Sequence, residues 1–182
     1  MKFLMVIFIV FIFTACSQER TQPLYSVKLS DAGVGKIKVG TPFEMRLIEP
    51  KFPGFEIQKF TFFKEGEPMQ IIQIGYREVP WMYLFPSKDK KLVKNVSIVT
   101  NKIKTSWPTK IGMRFDKTYH AEQLSLCKLG SDALKGNVVC SEPLAKNIYY
   151  VYKDETTLLG DELPRYTELK MWVLDEIIWS AR

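Results

Sequence analysis

The chain has 182 residues, with 26 lysines and arginines against 20 acids, one histidine, three cysteines, a formal charge of +6 and a 46% hydrophobic content. That length supports one domain with a real buried core. With Cys16 set apart in the N-terminal segment, Cys127, Cys140 and the single histidine, His120, do not make up a four-ligand zinc set, Gly33-Val34-Gly35 lacks the later glycine and lysine of a phosphate loop, and no cofactor or metal is expected.

At the N-terminus one cation, Lys2, precedes the unbroken apolar run 3–13, and Thr14 and Ala15 lead to Cys16. A charged end, an apolar centre and small residues before a cut are the parts of a secretory signal. The run is well short of the ~20 residues of a membrane-spanning helix, so residues 1–15 read as a signal peptide that is removed. Phe13-Thr14-Ala15-Cys16 resembles a bacterial lipobox, the alternative being an ordinary signal that happens to contain a cysteine. The resemblance implies that Cys16 becomes the first mature residue and carries two acyl chains on its thiol and a third on its amine. Each buried methylene contributes ~0.8 kcal/mol, so several chains give a lasting anchor where one does not. Ser17, in place of an aspartate, implies by the same resemblance the inner leaflet of an outer membrane, facing the periplasm. Residues 16–23 then form the lipidated end and a short tether, and residues 24–182 a single periplasmic domain.

Within that domain, Thr41-Pro42-Phe43-Glu44 combines a capping box with proline at the first helical position. This predicts a helix with Phe43, Leu47 and Ile48 on one face, stopped by Pro50. Residues 55–63 alternate as a strand, but the apolar phase changes between Ile57 and Phe60, which reads as a bulge or bend. Lys64-Glu65-Gly66-Glu67-Pro68 is a turn by composition, and 69–76, 81–85 and 92–100 are further strands. Phe115, Tyr119 and Leu124 mark a second, poorly capped helix that ends before Gly130, and 171–179 reads as a last strand. The class is α+β, an antiparallel sheet with two short helices.

The sequence also repeats itself. Lys38-Val39-Gly40-Thr41-Pro42-Phe43-Glu44 recurs as Lys110-Ile111-Gly112-Met113-Arg114-Phe115-Asp116. Glu67-Pro68 with 71–74 corresponds to Glu142-Pro143 with 148–151, and 93–99 answers 173–179. Two units, 36–105 and 108–182, are the expectation. Phe43 and Phe115 would both be buried beneath helices on one face of the sheet, leaving the other face for a partner.

Once Cys16 is acylated, Cys127 and Cys140 remain in an oxidising compartment, and a disulfide between them is expected. Closing such a loop contributes ~3 kcal/mol. His120 has no carboxylate that spacing would pair with it and reads as a partly exposed structural residue rather than a general base. Glu65 and Glu67 fit either a paired-carboxylate site of the glycosidase kind or a solvated turn. Lys88, Lys90, Lys91, Lys94, Lys102, Lys104 and Lys110, diluted only by Asp89, fit either a site for an anionic surface or a solvated hairpin that shields an edge strand. The adjoining apolar run 79–85 is either a docking face or core.

Gly40-Thr41-Pro42-Phe43, Phe52-Pro53-Gly54-Phe55, Glu65-Gly66-Glu67-Pro68, the cysteine pair and the terminal Ile177-Ile178-Trp179 together resemble the enterobacterial envelope-stress (sigma-E) regulated lipoprotein family, a domain of unknown function. The resemblance spans 33–179 and implies an outer-membrane lipoprotein facing the periplasm. It supplies no catalytic residue, and the lysine-rich segment has no counterpart in it. The expected function is a non-catalytic binding or structural module of the envelope whose partner is a protein, peptidoglycan or anionic lipid, with nucleic acid excluded by export. The alternative is an envelope hydrolase using Glu65 or Glu67.

Overall fold

In a computed structural model the residues described are 26–64, 66–154 and 162–182. Three short strands, β1 (Lys28–Ser30), β2 (Gly33–Val34) and β3 (Ile37–Lys38), open the domain. Four long ones follow, β4 (Glu56–Lys64), β5 (Glu67–Tyr76), β6 (Val79–Pro86) and β7 (Val93–Ile98). After β8 (Lys104–Thr105) come β9 (Cys127–Leu129), β10 (Val138–Glu142), β11 (Ala145–Lys153) and β12 (Val173–Ser180). Two single-turn helices, α1 (Met45–Ile48) and α2 (Tyr166–Leu169), complete an α+β fold.

The main sheet has the order β4-β5-β6-β7-β12-β11-β10-β9, and the small sheet β3-β2-β1-β8. Every pair in the main sheet is antiparallel, whereas β1 and β8 run parallel. Side chains alternate between the faces of a strand, and Ile72, Ile74, Met82, Leu84, Val96 and Ile98 put one face of β5, β6 and β7 into the core. Ile148, Tyr150, Tyr152, Ile177 and Trp179 do the same from β11 and β12. Leu29, Val34 and Ile37 of the small sheet and Ile48, Phe115 and Leu169 of the short helical segments belong to the same core. Trp179 is fully buried, and its indole Nε1 donates to the Asp31 carbonyl at 3.0 Å. Asn147 Nδ2 donates to that carbonyl at 2.8 Å, tying the β1–β2 turn to the main sheet.

Both predicted helices are shorter than expected. α1 begins at Met45 and gives way to a 3₁₀ turn, Glu49–Lys51, with Pro50 in its first positions. Thr41 does not cap it: its Oγ1 accepts the Lys38 N–H at 2.9 Å and closes the turn at Gly40. The backbone that would have opened the helix pairs with the chain entering β7, since Phe43 N–H donates to the Lys91 carbonyl and Val93 N–H to the Thr41 carbonyl, both at 2.8 Å. Leu47, placed on the apolar face by spacing, is exposed, while Ile48 is buried. The second expected helix is two 3₁₀ stretches, Phe115–Lys117 and Ala121–Leu126, and the residues after them pair as β9.

The order of the main sheet is symmetric about the β7–β12 junction, with four strands from 56–98 on one side and four from 127–180 on the other. The ties made by Thr41 and Phe43 recur: Phe115 N–H donates to the Trp172 carbonyl and Leu174 N–H to the Met113 carbonyl, both at 2.8 Å. Gly40 and Gly112 hold φ of +80° and +86°, a left-handed conformation that favours glycine. Two of the sequence correspondences need correcting. Val93 is matched by Leu174 rather than Val173, and residues 71–74 lie on β5, second from its edge, whereas 148–151 lie on β11, third from the other edge.

Beneath the second half of the sheet, Phe115, Tyr119, Tyr152 and Tyr166 cluster with ring centroids 5.0 to 6.1 Å apart in the pairs that touch. The Tyr119 hydroxyl donates to the Ser141 carbonyl at 2.9 Å. Thr109 and Glu142 lie beside the Tyr150 hydroxyl and Thr118 beside that of Tyr152, but neither hydroxyl makes a well-aligned hydrogen bond among the described residues. Burial pushes all three phenols well above the ordinary tyrosine range, so they stay protonated.

Candidate functional site: a groove on the open face of the sheet

Residues that alternate with the core positions build a second face. The register places Gln58, Gln73, Tyr83, Ser97, Ile178, Tyr149 and Ser141 in one row across seven strands. The next row includes Glu176, Val151 and Val139. Ile71, Val139 and Val151 are buried although they stand apart from the main core.

A groove of about 750 Å³ runs along it, within the ~300–1,000 Å³ range of ligand sites. Phe60 and Phe62 of β4 line it, and so does 131–134, the tip of the β9–β10 hairpin at the opposite edge. In a flat sheet those outer strands would lie about 34 Å apart, so the sheet must curl towards this face. Between them Met69, Ile71, Tyr83, Phe85, Val99 and Ile178 give an apolar lining. Phe62 and Phe85 meet edge to face at 6.0 Å.

The phase change in β4 marks this site. β4 pairs with β5 without slippage from Glu56↔Gly75 to Lys64↔Glu67, so the expected bulge is absent. Ile57 packs on the core side, whereas Phe60 and Phe62 point into the groove.

Glu176 is the groove's acid. The β11–β12 register shifts between Val151 and Tyr152, so that Val151 faces Glu176 and Tyr152 faces Leu174. Asp175 is the extra residue, and this bulge sends Leu174 into the core and Glu176 into the groove, as bulges beside sites often re-aim a side chain. Burial raises the Glu176 carboxyl above the ordinary glutamate range, the Ser97 hydroxyl bonded to it pulls it partly back, and neighbouring Asp175 pushes it up. Among the described residues that line the groove, Glu176 and the rim residue Asp132 carry charge and no lysine, arginine or histidine does.

Since the folded state binds the Glu176 proton more tightly than the unfolded chain, this group stabilises the fold below the unfolded glutamate pKa. That contribution is lost as pH rises through the raised value. Glu176→Gln is therefore expected to gain stability at neutral pH and to flatten the loss between mildly acidic and neutral pH, as read from urea midpoints. An unchanged pH profile would contradict this environment for Glu176.

The hairpin tip is held at both ends. Cys127 and Cys140 are direct cross-strand partners joined in a disulfide, with Cα atoms 3.9 Å apart, and Cys140 is fully buried. At the other end Gly130 N–H donates to the Asn137 carbonyl at 2.9 Å, and a Cβ on Gly130 would fall 2.1 Å from the Leu134 carbonyl oxygen. Only glycine allows that approach.

Residues 22–181 match the family described as "Protein of unknown function (DUF1131)". The chain belongs to this family. The DUF1131 domain is also similar to the crystal structure of the uncharacterized protein yfeY from Escherichia coli, with a TM-score of 0.68 and 19% identity over 84% of this chain and 99% of that one. At that identity the likeness concerns the fold. No curated protein matches the chain.

The structure does not bring the described residues singled out from sequence together in one site of the DUF1131 domain. Cys16, the tether and Glu65 lie outside the described residues, and Glu67 is exposed at the start of β5, outside the groove lining. His120 is exposed where the second 3₁₀ stretch begins, its backbone N–H donating to Gln123 Oε1 at 2.9 Å. All seven lysines are exposed but fall on separate elements. Lys88, Lys90 and Lys91 occupy the β6–β7 turn, Lys94 donates from β7 to the Ala181 carbonyl, Lys102 and Lys104 lie at β8, and Lys110 precedes Gly112. β7 is paired on both sides, so the lysines around it shield no edge. Only Lys104, on the outer strand of the small sheet, sits where such a shield acts. The run 79–85 divides by alternation, Met82 and Leu84 going to the core and Tyr83 and Phe85 to the groove.

Proposed function

We propose that this DUF1131 protein is a lipid-anchored, non-catalytic binding module of the bacterial envelope, and that the groove receives an apolar segment of its partner. The observation that carries this reading is the groove's apolar lining on a sheet face separate from the core. Apolar concave surfaces with a few polar groups are the usual form of binding sites, and a patch of this kind left in water is unfavourable.

N-phenylnaphthylamine, a neutral fluorophore that brightens in apolar surroundings, tests the reading. It is expected to bind the folded protein and to lose about tenfold or more in affinity in a Phe60→Ser, Phe62→Ser variant. Both phenylalanines are at least partly exposed, so the variant keeps its core. No binding by the native protein, or equal binding by the variant, would overturn the groove as a site.

The anchor rests on Phe13-Thr14-Ala15-Cys16, and a buried disulfide suits an exported protein. Metabolic labelling with a fatty acid is expected to mark the native protein and not Cys16→Ala, which should accumulate as precursor; continued labelling of the variant would refute acylation at Cys16. Envelope-stress control and outer-membrane sorting belong to the same reading through the family resemblance and Ser17. Lys104, opposite Lys28 in the small sheet, is the member of the lysine set best placed for anionic headgroups, because β1 follows the tether after few residues. We also read the symmetric sheet order and the recurring ties at Phe43 and Phe115 as the trace of a duplicated unit.

A further inference from the structure

We infer that the groove's occupant is a peptide segment of a partner protein, apolar apart from one lysine or arginine whose cation sits on the Glu176 carboxylate. This rests on the groove reading above and assigns its chemistry. Charge is the first support. In a chain with a net charge of +6, the groove holds two acids and no base among its described lining residues. An anionic occupant, such as a phosphate-bearing lipid headgroup or a fatty acid carboxylate, finds nothing there to neutralise it, and it meets Glu176 as a like charge. A cation relieves a carboxylate whose ionised form burial disfavours.

The uncharged polar groups are the second support. Gln73, Asn95 and Ser131 are set among the aromatic and aliphatic lining. An alkyl chain would cover these groups and satisfy none of them, at a desolvation cost for each. A peptide presents an N–H and a C=O at nearly every residue and can bond them. The aliphatic stem of a lysine or arginine also lies well on apolar walls while its charged end reaches an acid.

Panning a phage-displayed library of random nine-residue peptides against the native protein tests the inference, with the Phe60→Ser, Phe62→Ser variant and Glu176→Gln as counter-targets. The expected result is enrichment of apolar peptides with a single lysine or arginine, which lose binding to the phenylalanine variant and weaken about tenfold on Glu176→Gln. Groove-dependent peptides without a cation, or with binding unchanged by Glu176→Gln, would overturn the assignment to Glu176 and leave the groove standing. If no peptide depends on Phe60 and Phe62 while N-phenylnaphthylamine still does, the occupant is not a peptide and the inference fails. If neither probe depends on them, the groove reading fails as well. Glu176→Gln removes a charge and keeps the shape, and its urea midpoint separates lost binding from lost folding.

Discussion

Phe115→Ala is expected to destabilise the domain by about 3–5 kcal/mol, the usual effect of removing a fully buried aromatic ring. Phe115 has no exposed surface, and its ring lies 5.2 Å from Tyr119, 5.0 Å from Tyr152 and 6.0 Å from Tyr166 by centroid. Its backbone also holds the entry to β12 through the Trp172 carbonyl. Phe43 makes the corresponding backbone tie to Lys91 but is only partly buried, so Phe43→Ala should cost about 1–2 kcal/mol. The sequence repeat alone would have the two phenylalanines contribute equally. Urea midpoints at an unchanged slope measure both variants, and a loss below about 1 kcal/mol for Phe115→Ala would contradict the packing described.

Removal of the disulfide in a Cys127→Ala, Cys140→Ala variant is expected to cost about 3 kcal/mol for a loop of this size and, separately, to weaken N-phenylnaphthylamine binding. The second effect follows from position. The bond joins β9, a three-residue edge strand, to β10, and the tip of that hairpin forms one wall of the groove. The Gly130–Asn137 tie and the core packing of Val138 and Leu129 remain without the bond, but the ladder between β9 and β10 loses its covalent clamp at the end away from the tip. The double variant avoids the unpaired buried thiol that a single one would leave. A midpoint equal to that of the native protein would refute the stabilising role, and unchanged probe binding would refute the link to the groove.

Strand alternation made β5, β6 and β7 legible, since apolar side chains at every second residue follow directly from a sheet with one buried face. The cysteine pair was legible for a chemical reason, two thiols close in sequence behind an N-terminus that reads as an export signal. The helices were misread because the Thr41-Pro42-Phe43-Glu44 capping signal competes with ladder bonds: Thr41 and Phe43 give their backbone groups to Val93 and Lys91, and only one turn is left. The groove did leave a mark in the sequence, the phase change between Ile57 and Phe60, but a bulge and a change of buried face produce the same pattern. Pairing with β5 decides between them. Glu176 left no mark. Its place in the groove depends on the extra residue Asp175, and without the shift Glu176 would share the face of Leu174.

The two faces of the sheet carry adjacent residues of the same kind, and methyl NMR on isoleucine- and valine-labelled protein separates them during titration with N-phenylnaphthylamine. Ile71, Val99 and Ile178 line the groove, while their neighbours Ile72, Ile98 and Ile177 are buried in the core on the opposite face. The predicted result is a saturable shift of the first three methyl sets, with little change in the second three and none at Ile37 or Ile48. Equal shifts on both faces, or shifts centred on the small sheet and α1, would contradict a binding groove on the open face.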